Sequence, residues 1–173
     1  MSYDPPQHRR SIRLDGYDYT QPGGYFLTLV AHQRRYLFGE VVDGVVNLSP
    51  IGKIVEEEWL RTPAIRPEVT LDDFMIMPDH FHATLFFTET DQTTDSTVFA
   101  DQKGTNGLER PPRSLGSLVA GFKAVTTHRI NLIRKTPGEP VWLRNYYEHI
   151  LRDENDLNRV RAYIRANPAR WTR

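Results

Sequence analysis

Residues 78–87 show the clearest hydrophobic pattern of the chain and predict a β-strand with two unlike faces. After a bend at Pro78-Asp79, apolar and polar side chains alternate with the period of two that a strand requires. One face is predicted to pack on the core and consists of Phe81, Ala83, Leu85 and Phe87. The opposite face consists of His80, His82 and Thr84, with the two imidazoles roughly 7 Å apart along the strand.

The segments before this strand predict short strands, tight turns and one helix. In order, they are a strand at 25–31, a hairpin at 37–48, a helix at 49–62 and a strand at 68–77 that pairs with the histidine strand. The hairpin turns at Asp43-Gly44, the strongest short-range turn signal of the chain. The helix begins with Ser49-Pro50 as cap and first residue, and it is predicted to stop before Pro63.

The segments after the histidine strand predict two helices and one further extended segment. In order, they are a long polar excursion at 88–113, a helix at 114–134, an extended segment at 141–151 and a final helix from Asp153 to Asn167-Pro168. The apolar stripe of the first helix is predicted to contain Leu115, Leu118, Val119, Phe122, Val125, Arg129 and Ile133. Because strands and helices do not alternate regularly, the pattern predicts an α+β fold, an antiparallel sheet with helices on one face.

Length and composition are typical of one compact domain. The 173 residues suffice for a core without disulfides, and the chain has no cysteine, which excludes thiol catalysis and thiolate zinc sites. No apolar run approaches the roughly 20 residues of a membrane span. We therefore expect a single soluble, cytoplasmic domain over 1–173 with no membrane partner, in which residues 1–22 form an irregular arm and 88–113 a flexible insertion.

The formal charge is zero overall but unevenly distributed. Most of the acidic residues lie in 1–108, whereas 109–173 has a clear excess of arginine and lysine. Such asymmetry favours an anionic partner for the C-terminal part. A folded domain that brings the two signs together is the alternative.

The two histidines have two possible interpretations. Neutral imidazoles that point the same way each offer a nitrogen lone pair to a divalent cation. Alternatively, His80 and His82 are partly solvated polar residues on an amphipathic strand, and the spacing alone favours this second interpretation.

The final helix supplies further candidates. Its apolar stripe is Leu157, Val160 and Ile164, and Tyr163 and Asn167 lie four residues apart on a neighbouring face with Arg159 one turn before. A tyrosine hydroxyl is a possible nucleophile, and an amide oxygen is a possible ligand of a hard cation. Taken singly, however, each residue also suits a packing tyrosine, a helix stop or a solvated arginine. The arginines at 159, 161, 165, 170 and 173 have no acid among them and are expected to attract phosphates.

Three blocks of the chain, in order, resemble the REP-associated tyrosine transposases, a branch of the single-tyrosine HUH transposases. The first is Met77-Pro78-Asp79-His80-Phe81-His82, which matches the histidine-hydrophobic-histidine motif. The others are Asn145-Tyr146-Tyr147-Glu148-His149-Ile150-Leu151-Arg152-Asp153-Glu154 and Tyr163-Ile164-Arg165-Ala166-Asn167-Pro168-Ala169-Arg170-Trp171. The opening strand, from Pro22 to Thr28, is also similar, so the resemblance spans residues 9–171.

The resemblance implies a ferredoxin-like sandwich whose C-terminal helix carries the nucleophile, Tyr163. It implies that His80, His82 and Asn167 are metal ligands, with Mg²⁺ or Mn²⁺ as the expected ion, although two histidines also accept zinc. The implied reaction is cleavage and rejoining of single-stranded DNA through a 5′-phosphotyrosine, as in DNA transposition, at hairpins formed by palindromic repeats. The candidate DNA contacts are Arg9, Arg10, Arg13, Arg34, Arg35, Lys123, Arg159 and Arg165. Relatives act as monomers or dimers, so the oligomeric state stays open.

Two alternatives to a nuclease are consistent with the residues. The stretch His82-Ala83-Thr84-Leu85 fits the signature of two-histidine phosphoesterases, but that class requires a second copy, which the chain lacks. The other alternative is a catalytically silent nucleic-acid-binding module, in which aromatic and arginine side chains bind strands without cutting them.

Overall fold

A computed structural model describes residues 21–88 and 113–172. The strands are β1 (Gly23–Val30), β2 (Gly39–Val42), β3 (Val45–Leu48), β4 (Val69–Met77), β5 (His80–Phe87) and β6 (Tyr147–Leu151). The helices are α1 (Pro50–Leu60), α2 (Thr62–Ile65), α3 (Leu115–Arg134) and α4 (Glu154–Ala166), with 3-10 turns at His32–Arg34 and Pro168–Arg170. The predicted arm at 1–22 and insertion at 88–113 lie almost entirely outside the described residues.

Four strands form the main sheet in the order β4-β5-β1-β6, and each pairs with its neighbours in antiparallel fashion. β2 and β3 form a separate hairpin, whose turn residues Asp43 and Gly44 both have positive φ, as predicted for Asp-Gly. The α+β fold class predicted from the sequence is confirmed.

The main core lies between one face of the sheet and helices α1 and α3. Tyr25, Leu27 and Leu29 of β1 point to this face, beside the alternate residues of β5 that the sequence assigned to the core. Trp59 of α1 meets Phe81 of β5 edge to face, with ring centroids 5.0 Å apart. Strand alternation therefore predicted the buried face of β5 correctly.

The opposite face of the sheet is covered by α4. Val160 and Ile164 of this helix pack against Phe26 of β1 in a second, smaller apolar cluster. Because the two clusters lie on opposite faces, His82 is covered rather than solvated, and only 3% of its surface is exposed. The interpretation of His82 as a partly solvated residue is wrong for this reason.

A β-bulge in β4 determines how α4 is attached. The register with β5 shifts between Leu71 and Phe74, so that Asp72 and Asp73 form the irregular part of the strand. Their carboxylates reach Arg161 and Arg165 of α4. A bulge commonly redirects side chains in this way, and here it joins the edge strand to the helix.

Three element predictions differ from the structure in detail. Within the extended segment predicted at 141–151, only Tyr147–Leu151 is a strand, because the preceding chain leaves the sheet after a single bridge between Ala31 and Trp142. In α3, Val125 and Ile133 are exposed, since the buried stripe turns toward Thr126 and Ile130. After α1 ends, a short additional helix, α2, follows with Pro63 in its first turn, where proline is tolerated.

None of the helices formed by residues 21–88 and 113–172 is long and apolar enough to cross a membrane.

Candidate active site between β5 and the last helix

His80 and His82 lie side by side on the face of β5 that α4 covers. Their ring centroids are 4.6 Å apart and the ring planes meet at 71°. The neighbouring strand β1 places Thr28 opposite His82 in the sheet register. Two adjacent imidazoles on a rigid central strand are a suitable base for a metal site.

The Nδ1 atom of each imidazole has a partner. Nδ1 of His80 lies 2.5 Å from a carboxylate oxygen of Asp79, and Nδ1 of His82 lies 2.9 Å from the hydroxyl of Thr28. If each Nδ1–H donates to these oxygens, the Nε2 atoms keep their lone pairs. A carboxylate behind a histidine is the usual second partner of a metal-binding imidazole. The donor set therefore fits a divalent cation.

The protonation of His82 also favours metal binding. Burial lowers the pKa of His82 from 6.5 to about 3, and the neighbouring His80 acts in the same direction. His82 is consequently neutral at physiological pH, which is the state that binds a cation through nitrogen.

Tyr163 of α4 reaches the same place from the other side. Its hydroxyl lies 3.5 Å from Nε2 of His82, and its ring meets the rings of His82 and Phe26 edge to face. The side chain is 45% exposed, although it contacts these buried groups. The structure thus brings the predicted nucleophile and a predicted metal ligand together, with one side open to a substrate.

Asn167 ends α4 one turn after Tyr163 and precedes the 3-10 turn at Pro168–Arg170. After that turn the chain brings Trp171 to His80, with ring centroids 5.9 Å apart. In the sequence, Asn167 therefore lies between Tyr163, which contacts His82, and Trp171, which contacts His80. Across 21–88 and 113–172, no three side chains of histidine, aspartate or glutamate cluster as a metal site. The role of Asn167 as a third metal ligand stays a prediction.

The arginines of α4 are paired with acids, contrary to the expectation of an unopposed basic helix. Arg161 and Arg165 pair with Asp72 and Asp73 of β4.

Arg159 pairs with Asp156, which also lies 2.8 Å from Nε2 of His149. Burial raises the pKa of the Asp156 carboxyl, but the hydrogen bond with His149 helps to bring this pKa below its usual value. The sheet supplies acidic partners that are distant in the sequence, so the excess positive charge is partly neutralised.

Among the described residues, the other predicted DNA contacts lie in two separate regions. Arg34 forms an ion pair with Asp79, with 3.5 Å between Nη1 and the carboxylate, and Arg35 is exposed beside it. Lys123 belongs to α3 on the opposite side of the sheet and donates to the carbonyl oxygen of Leu143. Arg9, Arg10 and Arg13 lie outside the described residues. Arg34 and Arg35 thus lie beside Asp79, the residue before His80, and DNA binding by each of the predicted residues stays a prediction.

Several residues of the site were not predicted from the sequence. Asp79 directly precedes His80, and this adjacency was an available signal for a carboxylate that orients the imidazole. Thr28 and Trp171 reach the histidines only through strand pairing and through the turn after α4. Hydrophobic periodicity contains no information about such contacts.

The fold is that of a transposase whose structure is known. A solved REP-associated tyrosine transposase bound to a REP hairpin superposes with a TM-score of 0.60 at 17% identity, over 95% of this chain and 73% of that chain. The transposase fold implied by the sequence motifs is therefore confirmed.

A relative that is more similar in sequence than the solved transposase defines the family. An uncharacterized protein of Haemophilus influenzae is 35% identical over 170 residues, which make up 95% of this chain and 90% of that protein. The chain belongs to the family of this Haemophilus influenzae protein. No family model matches it.

Proposed function

We propose that the chain is a metal-dependent endonuclease and strand transferase for single-stranded DNA, a transposase with Tyr163 as its nucleophile. The observation that supports this most is the contact of the Tyr163 hydroxyl with Nε2 of His82, beside the oriented imidazole of His80. A nucleophile and a metal-binding pair on opposing elements are the arrangement that transfer of a phosphoryl group to tyrosine requires.

In the proposed reaction, the hydroxyl oxygen of Tyr163 attacks the scissile phosphorus. A bond between this oxygen and phosphorus forms, while the bond to the 3′ oxygen breaks and that oxygen takes up a proton. The energy of the phosphodiester is retained in the phosphotyrosine, so a 3′-hydroxyl of another strand can reverse the step and rejoin DNA.

His80, His82 and Asn167 would hold Mg²⁺ or Mn²⁺. When bound, the cation supplies Lewis-acid polarisation of the phosphate and neutralises charge in the transition state. Asp79 and Thr28 keep the two imidazoles in position through their Nδ1 atoms. The exposed side of Tyr163 gives the hydroxyl proton a path to water.

The proposed substrate is single-stranded DNA that contains a hairpin, because the neighbour of like fold is bound to a REP hairpin. Tyr163 and His82 meet within a single chain. This supports an active site that one protomer completes, and a measurement of mass in solution tests whether the protein is a monomer or a homodimer.

The test is to incubate the protein with hairpin-bearing single-stranded DNA and Mn²⁺ and to look for a complex that survives denaturation. We expect the complex with the natural chain and none with Tyr163→Phe. Tyr147→Phe removes the hydroxyl of another exposed tyrosine, on β6, and serves as the matched control. DNA binding without any covalent complex in the natural chain would favour the catalytically silent binding module instead.

A further inference from the structure

A concave site lies next to His80, and apart from Asp79 its lining residues take no part in the proposed chemistry. This cleft of about 480 Å³ is lined by Arg34, Arg35, Tyr36, Asp79, Trp171 and Thr172. Its volume falls within the roughly 300–1,000 Å³ that is typical of small-molecule sites. One wall comes from the segment after β1 and the other from the end of the described chain, so the cleft forms only in the folded protein.

Two aromatic side chains form a corner in this cleft. The rings of Tyr36 and Trp171 have centroids 5.5 Å apart and planes at 66°. Tyr36 is 58% exposed, so much of its ring is open to a ligand. The ring of Trp171 also contacts the ring of His80. His80 in turn contacts His82, and His82 contacts Tyr163. An unbroken row of rings therefore leads from the cleft to the nucleophile.

The backbone that presents Tyr36 is held in an unfavourable conformation. Gln33 and Arg34, neither of which is glycine, have φ of 56° and 50°. The segment is fixed at both ends to the turn before β5, by Ala31 N–H to the Asp79 carbonyl and by Phe38 N–H to the Pro78 carbonyl. Such strain is concentrated at binding and catalytic sites. Here the strained segment places the exposed side chains of Arg34, Arg35 and Tyr36 in the lining of the cleft.

We propose that the cleft binds one unpaired nucleotide of the DNA strand, next to the scissile phosphate. Its base stacks in the corner of Tyr36 and Trp171, and the exposed guanidinium of Arg35 neutralises its phosphate. Flat rings and arginine suit an unstacked base of any sequence. Because Arg34 already pairs with Asp79, Arg35 is the arginine available to the phosphate. This inference rests on the proposed function, since it places the base beside the reacting phosphate.

The test uses Tyr163→Phe protein, which removes cleavage, and two probes, a thymidylate pentamer and a pentamer of the same backbone without bases. Trp59 and Trp142 are buried, with 0% and 6% exposure, so a ligand in the cleft acts on the fluorescence of Trp171. We expect the thymidylate pentamer to quench this fluorescence and the abasic pentamer not to quench it. Trp171→Phe, which keeps an aromatic ring, should lose the signal but retain most of the affinity.

Affinity separates stacking from charge. Tyr36→Ala and Trp171→Ala should each weaken binding of the thymidylate pentamer roughly tenfold and change binding of the abasic pentamer by less than about twofold. Arg35→Ala should weaken both probes. Leu132→Ala, at an exposed site on α3, is the control and should change neither.

Equal affinity of the natural chain and Trp171→Ala for the thymidylate pentamer would overturn the proposal, as would equal quenching by both probes. The covalent complex of the natural chain is measured separately. If that complex does not form while base-dependent quenching persists, the cleft stands as a base-binding site and the proposed nuclease chemistry is wrong.

Discussion

Arg161 of α4 donates two hydrogen bonds to Asp72 of β4, from Nε at 2.9 Å and from Nη2 at 2.6 Å. The same carboxylate accepts a hydrogen bond from Thr84 of β5. Hydrogen bonding to Arg161 is the main reason that the pKa of Asp72 lies below its usual value. This bidentate pair therefore attaches the helix that carries Tyr163 to β4, beside the ion pair of Arg165 with Asp73, and it fixes geometry as well as charge.

Removing this pair should reduce catalysis more than it reduces DNA binding. In Arg161→Met, α4 loses its attachment to Asp72 and Tyr163 is less well positioned over His82, so we expect the rate of covalent complex formation to fall at least about tenfold. The rate is measured in single-turnover experiments with hairpin DNA. Arg152→Met, at an exposed arginine before α4, is the matched control, and an unchanged rate in Arg161→Met would contradict this role.

Metal affinity should depend on Asp79. Asp79→Asn keeps the size of the side chain but removes the negative charge that orients His80, and loss of such a partner typically weakens metal binding by about 10–100-fold. Titration calorimetry with Mn²⁺ measures the affinity directly, without DNA. Asp43→Asn, in the exposed hairpin turn, should bind Mn²⁺ as the natural chain does. Equal affinities of both variants would show that Asp79 does not support the metal site.

Stability without metal should fall as the pH decreases below about 6.5. The pKa of His82 is about 3 in the folded protein and 6.5 in the unfolded chain, so between these values the unfolded chain binds the additional proton. The free energy of unfolding should then decrease by up to about 1.4 kcal/mol per pH unit from this group. The pKa of Asp72 is also lowered, from 3.8, and it acts in the same direction but mainly at lower pH.

Urea denaturation at pH 7.5, 6 and 5 in the presence of a chelator measures this dependence. His82→Gln has no titrating group at this position and should show a smaller loss of unfolding free energy over the same range. If the unfolding free energy of both proteins depended on pH with the same slope, His82 would not be a buried, neutral group in the folded protein.

The histidine site illustrates which part of the structure the sequence predicts. The alternation of residues 80–87 identified both faces of β5, because a strand imposes a period of two regardless of its neighbours. The pairing of Asp72 with Arg161 was not predicted, since it depends on a bulge in β4 and on contacts between residues far apart in the chain. For the same reason, the sequence overestimated the free positive charge of α4.

Lys123 is also a predicted DNA contact, a prediction based on its positive charge. Its ammonium group donates to the carbonyl oxygens of Leu143, Arg144 and Asn145 and lies 5.4 Å from the centroid of the Tyr146 ring. These contacts fasten α3 to the segment before β6, on the side of the sheet away from Tyr163. Sequence reasoning cannot distinguish a lysine that binds carbonyls from one that binds phosphate.

Lys123→Met should therefore lower stability and leave DNA binding unchanged. Loss of these hydrogen bonds is expected to cost about 1 kcal/mol, which corresponds to a decrease of about 2–4 °C in the thermal unfolding midpoint for a protein of this size. Affinity for hairpin DNA, measured by fluorescence anisotropy, should stay within about twofold. Weaker DNA binding with an unchanged midpoint would instead make Lys123 a DNA contact, as the sequence predicted.

Two glycines in helices provide a final test of packing, with opposite expected signs. A Cβ at Gly52 in α1 would overlap the carbonyl oxygen of Phe38 and lie 3.2 Å from the side chain of Leu48, whereas a Cβ at Gly121 in α3 would have nothing within 4 Å. The carbonyl of Phe38 cannot move freely, because it accepts a hydrogen bond from the backbone N–H of Ser49. Gly52→Ala should therefore reduce the free energy of unfolding by about 1–3 kcal/mol. Gly121→Ala should raise it by about 0.5–1 kcal/mol, since alanine restricts the unfolded chain without a clash. Urea denaturation of both variants measures the two changes, and a stabilising Gly52→Ala would show that α1 does not approach Phe38 this closely.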